Sequence, residues 1–213
     1  MKTTPNKSQQ LFLIILFISS WFAVLFQYYL SLGARVDSVG MATFRFISYF
    51  TILTNTLVGV CTSYVLLNPG SKLGQFFSKP KTLTAVTVYI VIVGLIYNLI
   101  LRWLWDPQGA QYVVDLFLHT IVPVGFLIYW LAFVPKMDLQ WKHVFPWLIY
   151  PLVYMVYILI RGAIINEYPY PFVDVTVLGY KDALINGVGV LFAFLAISLL
   201  LVAIAKWTSR KSR

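Results

Sequence analysis

The stretch LFLIILFISSWFAVLFQYYLSLGA, Leu11 to Ala34, runs 24 residues without a charge. An α-helix needs about 20 predominantly apolar residues to cross a bilayer core, so this segment alone is long enough. It exceeds the apolar core of a secretory signal, about 7–15 residues. Lys2 and Lys7 precede it and the small residues Ser31 and Gly33 close it, as in a signal, but the length decides for a retained membrane helix.

The pattern repeats along the chain. Further runs place spans at about 47–68, 82–101, 116–135, 144–160 and 183–205, besides the first at about 11–34. The fold class expected is all-α: a polytopic bundle of six transmembrane helices forming a single membrane domain over residues 1–213. Composition agrees, with 60% hydrophobic residues, 11% charged and a mean hydropathy of +0.82. A soluble domain carries about 25% charged residues to cover its surface. The single cysteine, Cys61, excludes an internal disulfide framework and multi-cysteine metal sites, and two histidines leave little for haem or multi-metal chemistry. No metal and no cofactor is expected.

The net charge of +9 could suggest nucleic acid, but its placement reads as topology. Eleven basic residues fall in the amino terminus, the loops after spans two and four, and the tail; five fall in the alternate loops. The positive-inside bias then puts both termini in the cytoplasm of a multi-pass cell-membrane protein. The tail residues Lys206, Arg210, Lys211 and Arg213 are read as meeting anionic lipid headgroups, with membrane lipid as partner and no nucleic acid. No oligomeric state is assigned.

Polar groups at membrane depth are expensive, and their positions are the best pointer to function. With that orientation, Arg45, Ser48 and Thr51 fall in the outer half of span two and Asn55 deeper. Ser48, Thr51 and Asn55 come within about 60° of one another on an ideal helix. Span four brings Asp115 and His119, one turn apart; span three ends with Asn98 and Arg102; span five with Tyr157 and Arg161; spans one and six offer Gln27 and Asn186. The bland account is that Ser and Thr bond their own backbone four residues back, and that Asn and His link helices at about 0.6 kcal/mol each. Arg45 and Arg102 are accounted for by snorkelling to the headgroups. His143 lies at the other end of its span and is read as an interfacial residue flanking Trp141 and Trp147. His119 is the group that asks for more, being titratable, inside the span and four residues from a carboxylate. A hydroxyl becomes a nucleophile when an adjacent base takes its proton, and imidazole oriented by a carboxylate is the usual base. Thr51, His119 and Asp115 supply those three parts.

Three segments occur in fixed order: Phe44-Arg45-Phe46-Ile47-Ser48-Tyr49-Phe50-Thr51-Ile52-Leu53-Thr54-Asn55, then Asp115-Leu116-Phe117-Leu118-His119-Thr120-Ile121-Val122-Pro123, then Tyr168-Pro169-Tyr170-Pro171-Phe172-Val173-Asp174-Val175. With these the chain resembles, over nearly its whole length, the bacterial Pr-six-Pr family of six-helix membrane proteins. More distantly it is similar to the eukaryotic androgen-induced family, intramembrane threonine hydrolases of fatty-acid esters of hydroxy fatty acids. The resemblance implies Thr51 as nucleophile and His119 as its partner, through the elements Tyr49-Phe50-Thr51, His119-Thr120 and Tyr170-Pro171-Phe172. Just ahead of the matching histidine the eukaryotic family has an Asn-His pair where this chain has Asp115 and Leu116. Thr54 is a rival nucleophile.

The expected activity is hydrolysis of a lipid ester, with a fatty-acid ester as substrate. Asp115 would orient His119, and Asn55 or Ser48 would donate to the oxyanion. The alternatives are a transporter or small-molecule binding protein with an outward-facing polar cavity, and a structural protein whose polar network serves packing only. Interrupted helices mark transport sites, and no span shows a clear Gly/Pro break at its middle. The two prolines of Tyr168-Pro169-Tyr170-Pro171-Phe172 predict a stiff, non-helical segment. Tyr168, Tyr170 and Phe172 are expected to cap the outer ends of spans two and four.

Overall fold

The computed structural model describes residues 6–211, with the side chain of Lys211 excepted; Lys2 of the amino-terminal charge count and Arg213 of the tail lie outside the described residues. Among the described residues there are helices and no strand. Six helices are long and apolar enough to cross a membrane: Lys7–Gly33, Phe50–Leu67, Pro80–Leu99, Gly109–Phe133, Trp141–Ile165 and Val175–Arg210. The protein is a multi-pass, all-α membrane protein. Its contacts cluster into two compact units, Met1–Asp138 and Leu139–Arg213.

The first unit begins with α1 (Lys7–Gly33), started by Asn6, whose side chain accepts from the Gln9 N–H at 2.8 Å. A short helix α2 (Val39–Phe46) follows, then α3 (Phe50–Leu67), α4 (Lys72–Phe77), α5 (Pro80–Leu99), α6 (Gly109–Leu116) and α7 (Val122–Phe133). The span expected at 47–68 therefore starts later. The chain leaves helical geometry at Ser48 and Tyr49, because the Ser48 and Tyr49 N–H groups close tight turns onto Arg45 and Phe46 and the Ser48 hydroxyl donates to the Phe44 carbonyl at 2.6 Å. The helical-wheel face drawn from Ser48 to Asn55 does not exist, since Ser48 lies in the turn before α3 and Asn55 within α3.

Lipid tails are as apolar as leucine, so burial against lipid drives little; close packing and hydrogen bonds between helices hold such a unit together. Large apolar side chains such as Leu11, Leu25 and Val124 accordingly point outward. Inside, α1 lies along α3, α3 along α5, and α5 along α7. Ala23 and Val24 of α1 pack with Phe46, Ile52, Val114 and Leu118. Polar side chains then stitch the helices: Trp21 Nε1 donates to Ser63 Oγ at 3.0 Å, Trp130 Nε1 to Thr84 Oγ1 at 2.9 Å, and the Gln27 and Gln111 side-chain amides donate hydrogen bonds to each other. The bland reading of hydroxyls holds for Ser20, Thr62, Thr84 and Thr87, each bonded to the carbonyl four residues back. Lys136 closes α7, its ammonium donating to the Trp130, Leu131 and Val134 carbonyls at 2.9 Å each.

The second unit starts with a 3-10 turn, Trp141–His143, followed by α8 (Val144–Trp147), α9 (Ile149–Ile165), a 3-10 turn Pro171–Val173 and α10 (Val175–Lys211). Pro146 and Pro151 remove two N–H donors, so this span begins in short pieces. His143 Nδ1 accepts from the Gln140 N–H at 3.2 Å and its ring lies 6.4 Å from Trp147, an end-of-helix role beside the tryptophan expected to flank it. Asn166 ends α9 in the left-handed region at φ 53°. Gly179, at φ 73°, breaks the start of α10 before its long helical run.

Candidate functional site

Span four carries the polar pair that the sequence singled out, and it is not a uniform helix. Residues Phe117–Ile121 wind as a π turn between α6 and α7. Pro123 is the cause: it has no N–H to give to His119 in an α-turn or to Leu118 in a π-turn. The Val122 N–H reaches back to Phe117 instead. No clear Gly/Pro break is expected at the middle of any span, yet a π turn interrupts this one just ahead of Pro123.

Two asparagines from two other helices take the released carbonyls. Asn98 Nδ2, near the end of α5, donates to the His119 carbonyl at 3.0 Å and to its own Gly94 carbonyl at 2.9 Å. Asn55 Nδ2, in α3, donates to the Leu118 carbonyl at 3.2 Å and to the Thr51 carbonyl at 2.9 Å. Gly94 lets α5 come this close, since a Cβ there would sit 3.0 Å from Pro123 Cβ and 3.2 Å from the His119 carbonyl oxygen.

Asp115 and His119 meet across the turn. His119 Nδ1 lies 3.2 Å from Asp115 Oδ1 and 3.1 Å from the Asp115 carbonyl oxygen. One face of the imidazole stacks on Tyr97, with centroids 3.7 Å apart and planes 9° from parallel. The Tyr97 hydroxyl accepts from Trp105 Nε1 at 3.1 Å. Asp115 is 6% exposed, so its carboxyl group depends on protein partners such as His119. A proton on Nδ1 directed at Asp115 leaves Nε2 as the basic nitrogen. Beside the pair lies a cavity of about 90 Å³ lined by Tyr97, Asn98, Arg102, Trp105, Asp106, Pro107, Tyr112, Asp115, Leu116 and Thr120.

The other residues named from sequence fall as follows. Thr51 is half-buried in the first turn of α3, tied to the π turn through Asn55; Thr54 is fully buried one turn on. The hydrogen-bond partner of His119 among the described residues is Asp115, not either threonine. Both amide hydrogens of Asn55 and the Ser48 hydroxyl are committed to carbonyls, so neither holds a spare donor for an oxyanion. Asn55 Oδ1 is buried with no partner, at a cost of about 1–3 kcal/mol, because the amide must turn its nitrogen toward the two carbonyls. Arg45, on α2, pairs with Asp37 near the surface.

The proposed cap residues belong to the second unit. The segment is extended at Tyr170 but makes a 3-10 turn over Pro171–Val173, so it is less uniformly extended than its prolines suggested. The Tyr168 ring fills the space where a Cβ on Gly162 would stand, Tyr170 and Phe172 stack at 5.3 Å, and Asn186 Nδ2 donates to the Phe172 carbonyl at 2.9 Å. Burial, then the neighbouring Tyr180 and Asp174, push the Tyr168 phenol above its ordinary range. Arg161 is nearly fully buried and donates to the Glu167 carbonyl at 2.7 Å, anchoring the start of the segment.

Sequence reasoning missed Tyr97 as a partner of His119 and missed what Pro123 does. The signal for the second was present in the four-residue spacing of His119 and Pro123. Among the described residues no group of three or more His, Cys, Asp or Glu side chains comes together as a metal site. Comparisons with protein-family models, curated proteins and solved structures give no match.

Proposed function

We propose that this membrane protein is a hydrolase of lipid esters, with Thr51 as nucleophile and His119 as its base. The observation that carries the reading is the Asp115–His119 pair: a carboxylate occupies Nδ1 inside an apolar span and leaves Nε2 to act. In the reaction Thr51 Oγ1 forms a bond to the ester carbonyl carbon while its proton passes to Nε2. The alcohol then leaves with that proton, and water, deprotonated by the same nitrogen, releases the fatty acid and restores Thr51. Asn55 links the Thr51 turn to the His119 turn, which favours an approach of the two side chains when substrate is bound. The choice of Thr51 and of a fatty-acid ester rests on the resemblance to the Pr-six-Pr and androgen-induced families, and the cell membrane with cytoplasmic termini on the distribution of basic residues.

Purified protein in lipid nanodiscs should turn over a fatty-acid ester of a hydroxy fatty acid or a chromogenic acyl ester. Thr51→Ala and His119→Ala should each lower the rate by about 100-fold or more, with Thr54→Ala close to wild type. Equal activity in all three variants would remove the proposal. The polar cavity beside Asp115 favours a second reading, a small-molecule binding membrane protein. A fluorophosphonate probe separates the two, because a binding protein has no activated hydroxyl to label.

A further inference from the structure

The two asparagine amides are ordinary interhelical links taken singly. Their targets are not ordinary. Of all the carbonyls along span four, they take Leu118, left without its α-helical donor because the Val122 N–H turns back to Phe117, and His119, whose α-helical donor would be the absent N–H of Pro123. They arrive from different helices, α3 and α5, and on adjacent residues. An unpaired carbonyl at membrane depth would otherwise pull the turn toward another winding. An α-helix sets successive side chains about 100° apart, and a π turn takes one more residue per turn, so exchanging one winding for the other re-aims every side chain on one side of it. His119 sits within that turn, and its ring is parallel to Tyr97 at 3.7 Å and in reach of Asp115.

We infer that Asn98 and Asn55 are positioning residues for His119: by holding the two carbonyls that Pro123 and the shifted Val122 N–H leave open, they keep residues 117–121 wound as a π turn and so aim the imidazole at Asp115 and Tyr97. The inference rests on the proposed role of His119 for its catalytic meaning, but not for its geometry. Gly94 belongs to the same device, because its missing side chain lets the Asn98 turn of α5 reach the carbonyl. Pro123 creates the need, and the asparagines meet it.

The chain has two histidines, so the imidazole NMR spectrum of histidine-labelled protein in nanodiscs contains His119 and, as an internal control, His143. Stacking on Tyr97 should displace the His119 ring protons upfield, and Tyr97→Leu marks the position without that ring. Asn98→Leu and Pro123→Ala should both move the His119 lines toward the Tyr97→Leu position and leave those of His143 in place. Pro123→Ala restores an N–H that competes with Asn98 for the His119 carbonyl, so it tests the idea without removing a hydrogen bond; it decides alone if Asn98→Leu does not fold. In the ester assay both should lower kcat with KM nearly unchanged. His119 lines that stay at the wild-type position in Pro123→Ala would overturn the inference. Absence of esterase activity in every form, with the NMR shifts as expected, would overturn the hydrolase proposal and leave the positioning intact.

Discussion

Gly94→Ala tests the packing on which the site stands. The added Cβ would lie 3.0 Å from Pro123 Cβ, 3.2 Å from the His119 carbonyl oxygen and 3.4 Å from Pro123 Cγ. Carbon atoms are comfortable at about 3.5–4.0 Å, so the two helices must part by about half an ångström. Neither neighbour is the free end of a flexible side chain: one is a proline ring within a helix and the other is backbone. Overpacking of this kind costs about 1–3 kcal/mol. Alanine also favours a helix over glycine by up to about 1 kcal/mol, which would mask part of that cost. Gly189→Ala in α10 supplies the correction, since a Cβ there meets nothing within 4 Å. Reversible unfolding by SDS in mixed micelles should place Gly94→Ala about 1–3 kcal/mol below Gly189→Ala, about 5- to 150-fold in the unfolding equilibrium. Equal stability of the two variants would refute the close approach of α5 to the π turn.

Thr84→Val should cost about 1–3 kcal/mol in the same assay, because it strands the Trp130 indole N–H in a fully buried site, whereas Thr84→Ser should recover most of it. Equal losses for the two would show that the hydroxyl is not the acceptor that matters. Replacing Pro169 and Pro171 together by Ala should lower ester turnover with the helical circular dichroism unchanged, if residues 168–172 act as the cap their sequence leads one to expect; unaltered turnover counts against that role. The Tyr168 phenol, raised in the folded protein, stays protonated at a pH where the unfolded chain has lost that proton. Stability should therefore fall as pH rises above about 10, the ordinary tyrosine value, and Tyr168→Phe should flatten that fall. A slope unchanged by Tyr168→Phe, measured by unfolding at a series of alkaline pH values, would count against it.

The membrane spans were legible because the bilayer imposes a one-dimensional rule of length and charge that needs no knowledge of neighbours. Their ends were less so. Charges mark where a span must stop but not where a helix does, which is why α10 runs through Lys181 and Asp182 and the fourth span begins at Gly109. The pairing of Asp115 with His119 could be read from an i,i+4 spacing within one span. Ser48 misled for a local reason: its own hydroxyl and N–H turn back on the preceding helix and end it.

Thus residue order and composition by themselves determined the all-α class, the six apolar helices and the carboxylate–imidazole pair, since each depends on chain-local periodicity or on transfer into lipid. Only the tertiary structure decided that Tyr97 stacks on His119, that the amides of Asn55 and Asn98 are spent on carbonyls rather than left for a reacting oxygen, and that span four winds as a π turn. The physical reason is that a proline removes a donor without naming its replacement. Which distant side chain supplies it depends on how closely α3 and α5 can approach, and that depends on packing at positions such as Gly94.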